Sequence, residues 1–414
     1  MLRTAIKKFS SITKGGESYI EKELIYGANN YSPLSVVLSK GKGIYVWDTA
    51  GKQYYDFLAG YSAANQGHCH PKIVEAMYSQ AKTLTITSRA FHHNLLGETE
   101  EILCKTFGFD KALMMNTGVE AGESAVKIAR RWGYEVKGIP ANQAKVVFCS
   151  NNFWGRTIAA CGSSDDPDRY KNFGPFTGLN FQIIPYDNIE VLEQALSDKN
   201  VAGFMFEPIQ GEAGIVVPFT GYCTKVRELC TKYNVLMIAD EVQTGIGRTG
   251  KLLCIDWENI KPDIVTLAKS LSGGLMPISA VLAKNDIMKV LVPGSHGSTY
   301  GGNPMACRVA QASISVIKDE KLVENSEKMG RIFRERISTL IGGQISEIRG
   351  KGLMNAIVIK SGKGAWDLCV KLAQNGLLAK PTHDNIIRFT PPLIINEVQL
   401  NESIDIIIKS IKEL

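Results

Sequence analysis

An aspartate and a lysine close two apolar runs, and their chemistries are complementary. The run Val235–Ala239 leads into Asp240, and the run IVTLA leads into Lys269, which SLSGG follows. Short apolar runs of this kind read as buried strands. A carboxylate at the carboxyl end of such a strand sits where α/β sheets bind ligands. A lysine at the matching end is partly desolvated, which lowers its pKa and makes its amine reactive toward an aldehyde. The pair suits pyridoxal phosphate: Lys269 bonds the aldehyde, and Asp240 keeps the ring nitrogen protonated and preserves the electron sink. Taken singly, Lys269 also reads as a solvated loop lysine and Asp240 as a helix cap.

A phosphate needs a cradle. The strand ALMM is followed by Asn116, Thr117, Gly118, Val119 and Glu120, and then by a run placing Ala121, Ala125, Ile128, Ala129 and Trp132 on one helical face. A glycine turn at a helix N-terminus offers free amides and a positive dipole end to an anion. A second candidate is STYGGNP at 298–304, where Thr299 is a donor. In FWGR at 153–156, Phe153 is placed to stack on a pyridine ring and Arg156 to fork onto a carboxylate; a core phenylalanine and a surface arginine are the plainer alternatives. Arg388 lies between Ile387 and Phe389 in IIRF. An arginine buried there is costly unless paired, so a carboxylate partner is expected from the protein or from a substrate.

The elements that must position these residues alternate. Strands are expected at Ala112–Met115, Lys145–Cys149, Ala202–Phe206, Val235–Ala239, Ile264–Ala268 and Ile278–Leu282, with helical stretches between most of them. That pattern implies an α/β domain on a mostly parallel sheet. Upstream, residues 43–57 read as an aromatic hairpin around Thr-Ala-Gly. Downstream, a strand is expected at Asn385–Phe389, and Leu400, Ile404, Ile407, Ile411 and Leu414 mark an amphipathic closing helix. The expected organisation is a tail at 1–16, an N-terminal segment of a small domain at 17–60, a large cofactor domain at 61–305, and the C-terminal part of the small α+β domain at 306–414.

Composition narrows the function. The chain has 414 residues, 44% of them apolar, which is ample for a large core. Of the net charge of +6, Arg3, Lys7, Lys8 and Lys14 supply most, and the near-neutral remainder makes no nucleic-acid groove. No apolar stretch is long enough to span a membrane. The nine cysteines form no CxxC pair and are odd in number, so neither a zinc site nor a secreted disulfide scaffold is expected. Residues 1–16 are basic, hydroxyl-rich and acid-free, the pattern of a mitochondrial presequence, with a frayed tail and a cytoplasmic protein as the alternative.

The motifs GYSAANQGHCHPKI, MMNTGVEAGESAVKIARRWGYE, EPIQGEAG, ADEVQTGIGRTG, HGSTYGGNP, RGKGLMNAIVI, NGLLAKPTH and IIRFTPPL resemble, over residues 20–414, the ornithine branch of the class-III aminotransferases. The resemblance implies the fold-type-I architecture, with pyridoxal phosphate at the interface of a homodimer. It implies Lys269 and Asp240 as the catalytic pair, Gln243 on the cofactor's 3-hydroxyl, Gly118 and Val119 on its phosphate, and Phe153 on its ring. It further implies that Thr299 reaches the phosphate from the neighbouring subunit, that Tyr31, Tyr61 and Arg156 bind ornithine, and that Glu212 pairs with Arg388 to separate the two half-reactions. The implied substrates are L-ornithine and 2-oxoglutarate; 4-aminobutyrate and acetylornithine aminotransferases are the rivals. Ala268, Ser270 and Met276 depart from the family pattern around the lysine.

Overall fold

The structure is a computed structural model that describes residues 16–360 and 364–414, so the presequence expectation lies outside the described residues, Gly16 apart. The aromatic run folds as an antiparallel meander of β1 (Leu38–Lys42), β2 (Tyr45–Asp48) and β3 (Gln53–Asp56). Asp48 sets the Thr-Ala-Gly turn, its Oδ1 accepting from the amides of Ala50 and Lys52 at 2.9 Å. An aspartate capping its own turn in this way is the usual reason for one at a hairpin corner.

Next in the chain come β4 (Lys111–Met115), β5 (Lys145–Cys149), β6 (Phe181–Ile184), β7 (Val201–Phe206), β8 (Leu236–Asp240), β9 (Ile264–Leu267) and β10 (Ser279–Ala283). They form a seven-stranded sheet in the order β4-β10-β9-β8-β7-β5-β6, with only β10 antiparallel to its neighbours. Every residue of β7 and β8 is buried. Helices cover both faces of the sheet, which is why these strands read as unbroken apolar runs rather than alternating ones. The helix Gly118–Trp132 lays Ala121, Ala125, Ile128, Ala129 and Trp132 on one face, as its periodicity predicts. On the other face, the helix Tyr222–Lys232 buries Val226, Leu229 and Cys230. Sequence reasoning missed β6. It is a four-residue edge strand with its first three residues partly or fully open to solvent, too short and too mixed to give a period.

The remaining strands are β11 (Ile345–Lys351), β12 (Met354–Ile359), β13 (Leu377–Leu378), β14 (Lys380–Thr382) and β15 (Ile386–Phe389). A second sheet runs β11-β12-β15-β14, while β13 joins the N-terminal meander by pairing in parallel with β3. The closing helix, Glu397–Lys412, buries Leu400, Ile404, Ile407 and Ile411 but stops short of Leu414. The fully buried Arg248 bridges separate parts of the chain: its guanidinium donates to the carbonyls of Leu353 (3.0 Å) and Pro391 (2.7 Å) and to the Asn65 side chain. Desolvation lowers its pKa to about 9.

Candidate active site

Asp240 is the last residue of β8, and Lys269 stands two positions past the end of β9, its nearest neighbour in the sheet. Two donors converge on one oxygen of Asp240: the Val242 amide and the Thr266 hydroxyl, each 3.0 Å from Oδ1. Among the described residues, Oδ2 accepts nothing. Burial raises the Asp240 pKa, and the Lys269 charge opposes that rise. Burial likewise depresses the Lys269 amine, against the pull of Glu212, Asp240 and Glu207. Lys269 adopts φ +43°, a left-handed conformation that costs a lysine about 1–3 kcal/mol and is tolerated where the surroundings over-determine it.

These two residues line a cavity of about 250 Å³ together with Gly118, Val119, Phe153, Glu207 and Gln243. It opens past Lys269 into a mouth of about 410 Å³ bordered by Thr117, Ala268 and Met276. The helix Gly118–Trp132 points its N-terminus at the cavity. Thr117 caps it by accepting from the Glu120 amide at 3.3 Å, and Glu120 reciprocates on the Thr117 amide at 2.6 Å. Among the described residues, the amides of Gly118 and Val119 have no acceptor, as the first turn of a helix requires.

Beside the cavity lies a second cluster. Arg388, 4% exposed, donates from Nη1 to Glu212 Oε1 at 2.7 Å, so the partner expected for it is supplied by the protein. Gln243 Nε2 reaches the same Glu212 oxygen at 3.4 Å, linking cluster and cavity. The Arg388 guanidinium lies 5.0 Å from the Tyr61 ring centroid, and Arg388 Nε has no partner among the described residues. Tyr61 sits in a run, Ala59–Ser62, in which every residue is left-handed.

Three further expected residues belong neither to the cavity lining nor to this second cluster in the single chain. Arg156 is exposed, 5.8 Å from the Phe153 ring centroid. Tyr31 is 71% exposed and borders a separate groove of about 640 Å³. Thr299 is exposed on a loop tied down by the bond from Asn116 Nδ2 to Ser298 Oγ at 3.0 Å.

A family model, aminotransferase class-III, matches residues 26–411. The chain belongs to the class-III aminotransferases. The chain is 60% identical to the mitochondrial ornithine aminotransferase of Drosophila melanogaster, over 94% of this chain and 90% of that one. A solved ornithine aminotransferase from Toxoplasma gondii, described with partial occupancy of PLP at its active site, superposes with a TM-score of 0.94 at 49% identity, covering 99% of this chain and 97% of that one. An acetylornithine aminotransferase from Elizabethkingia anophelis superposes at 0.88 with 52% identity, covering 97% of this chain and all of the other (100%).

Class-III aminotransferases depend on pyridoxal phosphate, and the cavity of this one fits it. A buried carboxylate with one unoccupied oxygen calls for a cationic N–H, the protonated ring nitrogen. Two unpaired amides at a helix N-terminus call for an anion, and a desolvated amine calls for an aldehyde. The departures near the lysine have distinct settings in this aminotransferase. Ala268 and Met276 border the mouth, whereas the Ser270 carbonyl accepts from Gln66 Nε2 (3.0 Å) and Ser313 Oγ (2.9 Å), away from the cofactor cavity.

Sequence reasoning overlooked three residues here. Glu207 directly follows β7 as Asp240 ends β8, so the strand-end argument reaches it equally. Thr266 signals itself only as the lone polar residue of IVTLA. Arg169, whose guanidinium lies 4.9 Å from the Phe153 centroid, gives no sequence signal at all.

Proposed function

We propose that this aminotransferase moves the δ-amino group of L-ornithine to 2-oxoglutarate, giving glutamate 5-semialdehyde and glutamate. The observation that carries the proposal is the buried Arg388 neutralised by Glu212 at 2.7 Å within the same cluster as Gln243 and Tyr61. Ornithine must enter with its distal amine at the reacting position, whereas glutamate enters with its α-amine. One fixed, free arginine would grip the α-carboxylate of both and present the wrong amine of ornithine. Paired with Glu212, Arg388 is unavailable to ornithine, whose carboxylate then falls to Tyr31 and Arg156. For glutamate or 2-oxoglutarate, Glu212 swings aside, Arg388 takes the α-carboxylate and Arg156 the distal one.

When bound, pyridoxal phosphate supplies an aldehyde for the donor amine and a ring that draws off the electrons of the broken C–H bond. Asp240 holds a proton on the ring nitrogen through its free Oδ2. Gly118 and Val119 donate their amides to the phosphate, Phe153 packs on the ring, and Gln243 takes the 3-hydroxyl. Lys269 Nζ, its basicity lowered by burial, accepts the proton released from the substrate carbon and returns it. Thr299 serves the phosphate of a second subunit, so the active form is a homodimer; its exposure, and that of neighbouring Tyr300, supports this. The mitochondrial name of the Drosophila relative supports the matrix as the compartment.

The likeness to an acetylornithine aminotransferase keeps one rival in view, because an acetylated substrate offers only one free amine. An amino-donor panel with 2-oxoglutarate decides between them. Ornithine is the expected donor, its semialdehyde trapped as it cyclises. Turnover of N-acetylornithine in preference to ornithine overturns the proposal.

A further inference from the structure

Glu207 opens the motif EPIQGEAG, and none of the roles above uses it. Its backbone is fixed from behind, where the Tyr186 hydroxyl donates to the carbonyls of Glu207 at 3.0 Å and Pro208 at 3.1 Å. Its side chain is buried and lines the cavity. The two carboxyl oxygens serve two different loops. Oε1 accepts from the Phe153 amide at 2.9 Å, and Oε2 accepts from the Gly211 amide at 3.1 Å.

Both loops carry proposed site residues. Phe153 faces the cavity directly. Gly211 precedes Glu212, and its carbonyl lies 3.4 Å from Arg388 Nη1. Gly211 also lies so close to Gln243 that a Cβ at this position would overlap the Gln243 side-chain amide. The Gly211 peptide is therefore held at its N–H by Glu207 and at its C=O by Arg388. With that peptide pinned, release of Glu212 from Arg388 is a rotation of one side chain and needs no movement of the loop.

We propose that Glu207 is a positioning residue that clamps the Phe153 loop to the Gly211–Glu212 turn, so that one carboxylate sets both the ring-stacking surface and the pivot of the Glu212–Arg388 pair. The inference rests on the ornithine proposal for its meaning and on the two amide contacts for its existence. It also accounts for a buried acid beside Asp240 and Glu212, an arrangement that otherwise only raises the Glu207 pKa. Each oxygen of a carboxyl group keeps a lone pair with which to accept, whether or not the group carries a proton. Glutamine accepts with one atom and places an N–H₂ against the other amide.

The test is Glu207→Gln, compared with wild type in two ways. In the apo protein, amide hydrogen exchange is followed in peptides covering residues 151–156 and 208–214. Exchange there is expected to speed up about tenfold, the consequence of losing one net hydrogen bond of about 1.4 kcal/mol. In the loaded enzyme, single-turnover rates and product identity are measured with ornithine and with glutamate. Both rates are expected to fall about tenfold or more while KM changes little, since a misplacement of about 1 Å can cost up to about 100-fold, and part of the ornithine reacts through its α-amine. Unchanged exchange in both segments, or unchanged rates with a single δ-product, overturns the clamp. If the glutamine variant does not fold, Glu207→Asp, which keeps both acceptors on a shorter arm, must show the same two effects, and wild-type behaviour overturns the proposal equally. Failure of wild type to use ornithine sinks the substrate proposal instead, and the exchange experiment still decides the clamp.

Discussion

At the scale of single residues, Lys269 is the most exposed to test. Among the described residues no other lysine lines the cavity, so Lys269→Ala is expected to lose turnover entirely while retaining fold. Turnover assay beside a thermal melt separates the two. Glu212→Ala is expected to keep the glutamate half-reaction and to yield mixed products from ornithine, because Arg388 is then free to take the wrong carboxylate. A single δ-product at an unchanged rate refutes the switch. Glu207 makes a prediction about pH. Burial, reinforced by Asp240, raises its carboxyl from 4.5 to about 8. The folded protein therefore binds a proton that the unfolded chain has released between those values, and stability falls as pH rises through that window. In the apo protein, the decline in melting temperature between about pH 5 and 8 is expected to be shallower in Glu207→Gln; an identical slope removes Glu207 from the linkage. What sequence alone conveys at this scale follows a physical division. Asp240, Lys269 and Arg388 announce themselves because a charge at the end of, or within, an apolar run demands a reason. Arg169 does not, because its contact with Phe153 is made from the four-residue helix Pro167–Tyr170, whose placement no local pattern encodes.

At the scale of elements, legibility tracks burial. β5 and β7 to β10 were readable within a residue or so because both sheet faces are covered and their apolar runs are continuous. The edge strand β6, and β11 with its exposed and polar positions, carry no such run. The capping box of the helix Gly118–Trp132 joins sequence to site most directly. Thr117→Ala removes an acceptor from the Glu120 amide and is expected to cost about 1 kcal/mol in a denaturant melt, and to weaken pyridoxal phosphate binding through the loosened first turn. A second element test is the helix Leu322–Ser338 where it meets the turn between β11 and β12. A methyl at Gly330 would occupy the Gly352 carbonyl. Backbone cannot yield as a side chain does, so Gly330→Ala is expected to destabilise by about 1–3 kcal/mol or more. A melt unchanged from wild type would mean that helix and turn part without cost.

At the scale of the whole molecule, the proposed dimer predicts a division of labour that one chain cannot show. Thr299→Ala is expected to raise the dissociation constant for pyridoxal phosphate about tenfold, one hydrogen bond to a charged group, without altering the melting of the apo chain. Mixing it with a Lys269→Ala chain should then produce hybrid dimers whose single competent lysine sits with an impaired phosphate site or an intact one, according to which chain supplies Thr299. Light scattering that finds a fully active monomer removes the proposal. The parallel pairing of β3 with β13 has a consequence for manufacture. Lys52 donates to the carbonyl of Gln374, 322 positions further along the chain. A ribosome adding about 5–20 residues per second needs roughly a quarter of a minute to a minute to cover that distance. Throughout that interval the aromatic hairpin exists with one edge open and no strand to close it, which makes the newborn chain a client for whatever shields unpaired edges in its compartment until the last forty or so residues emerge.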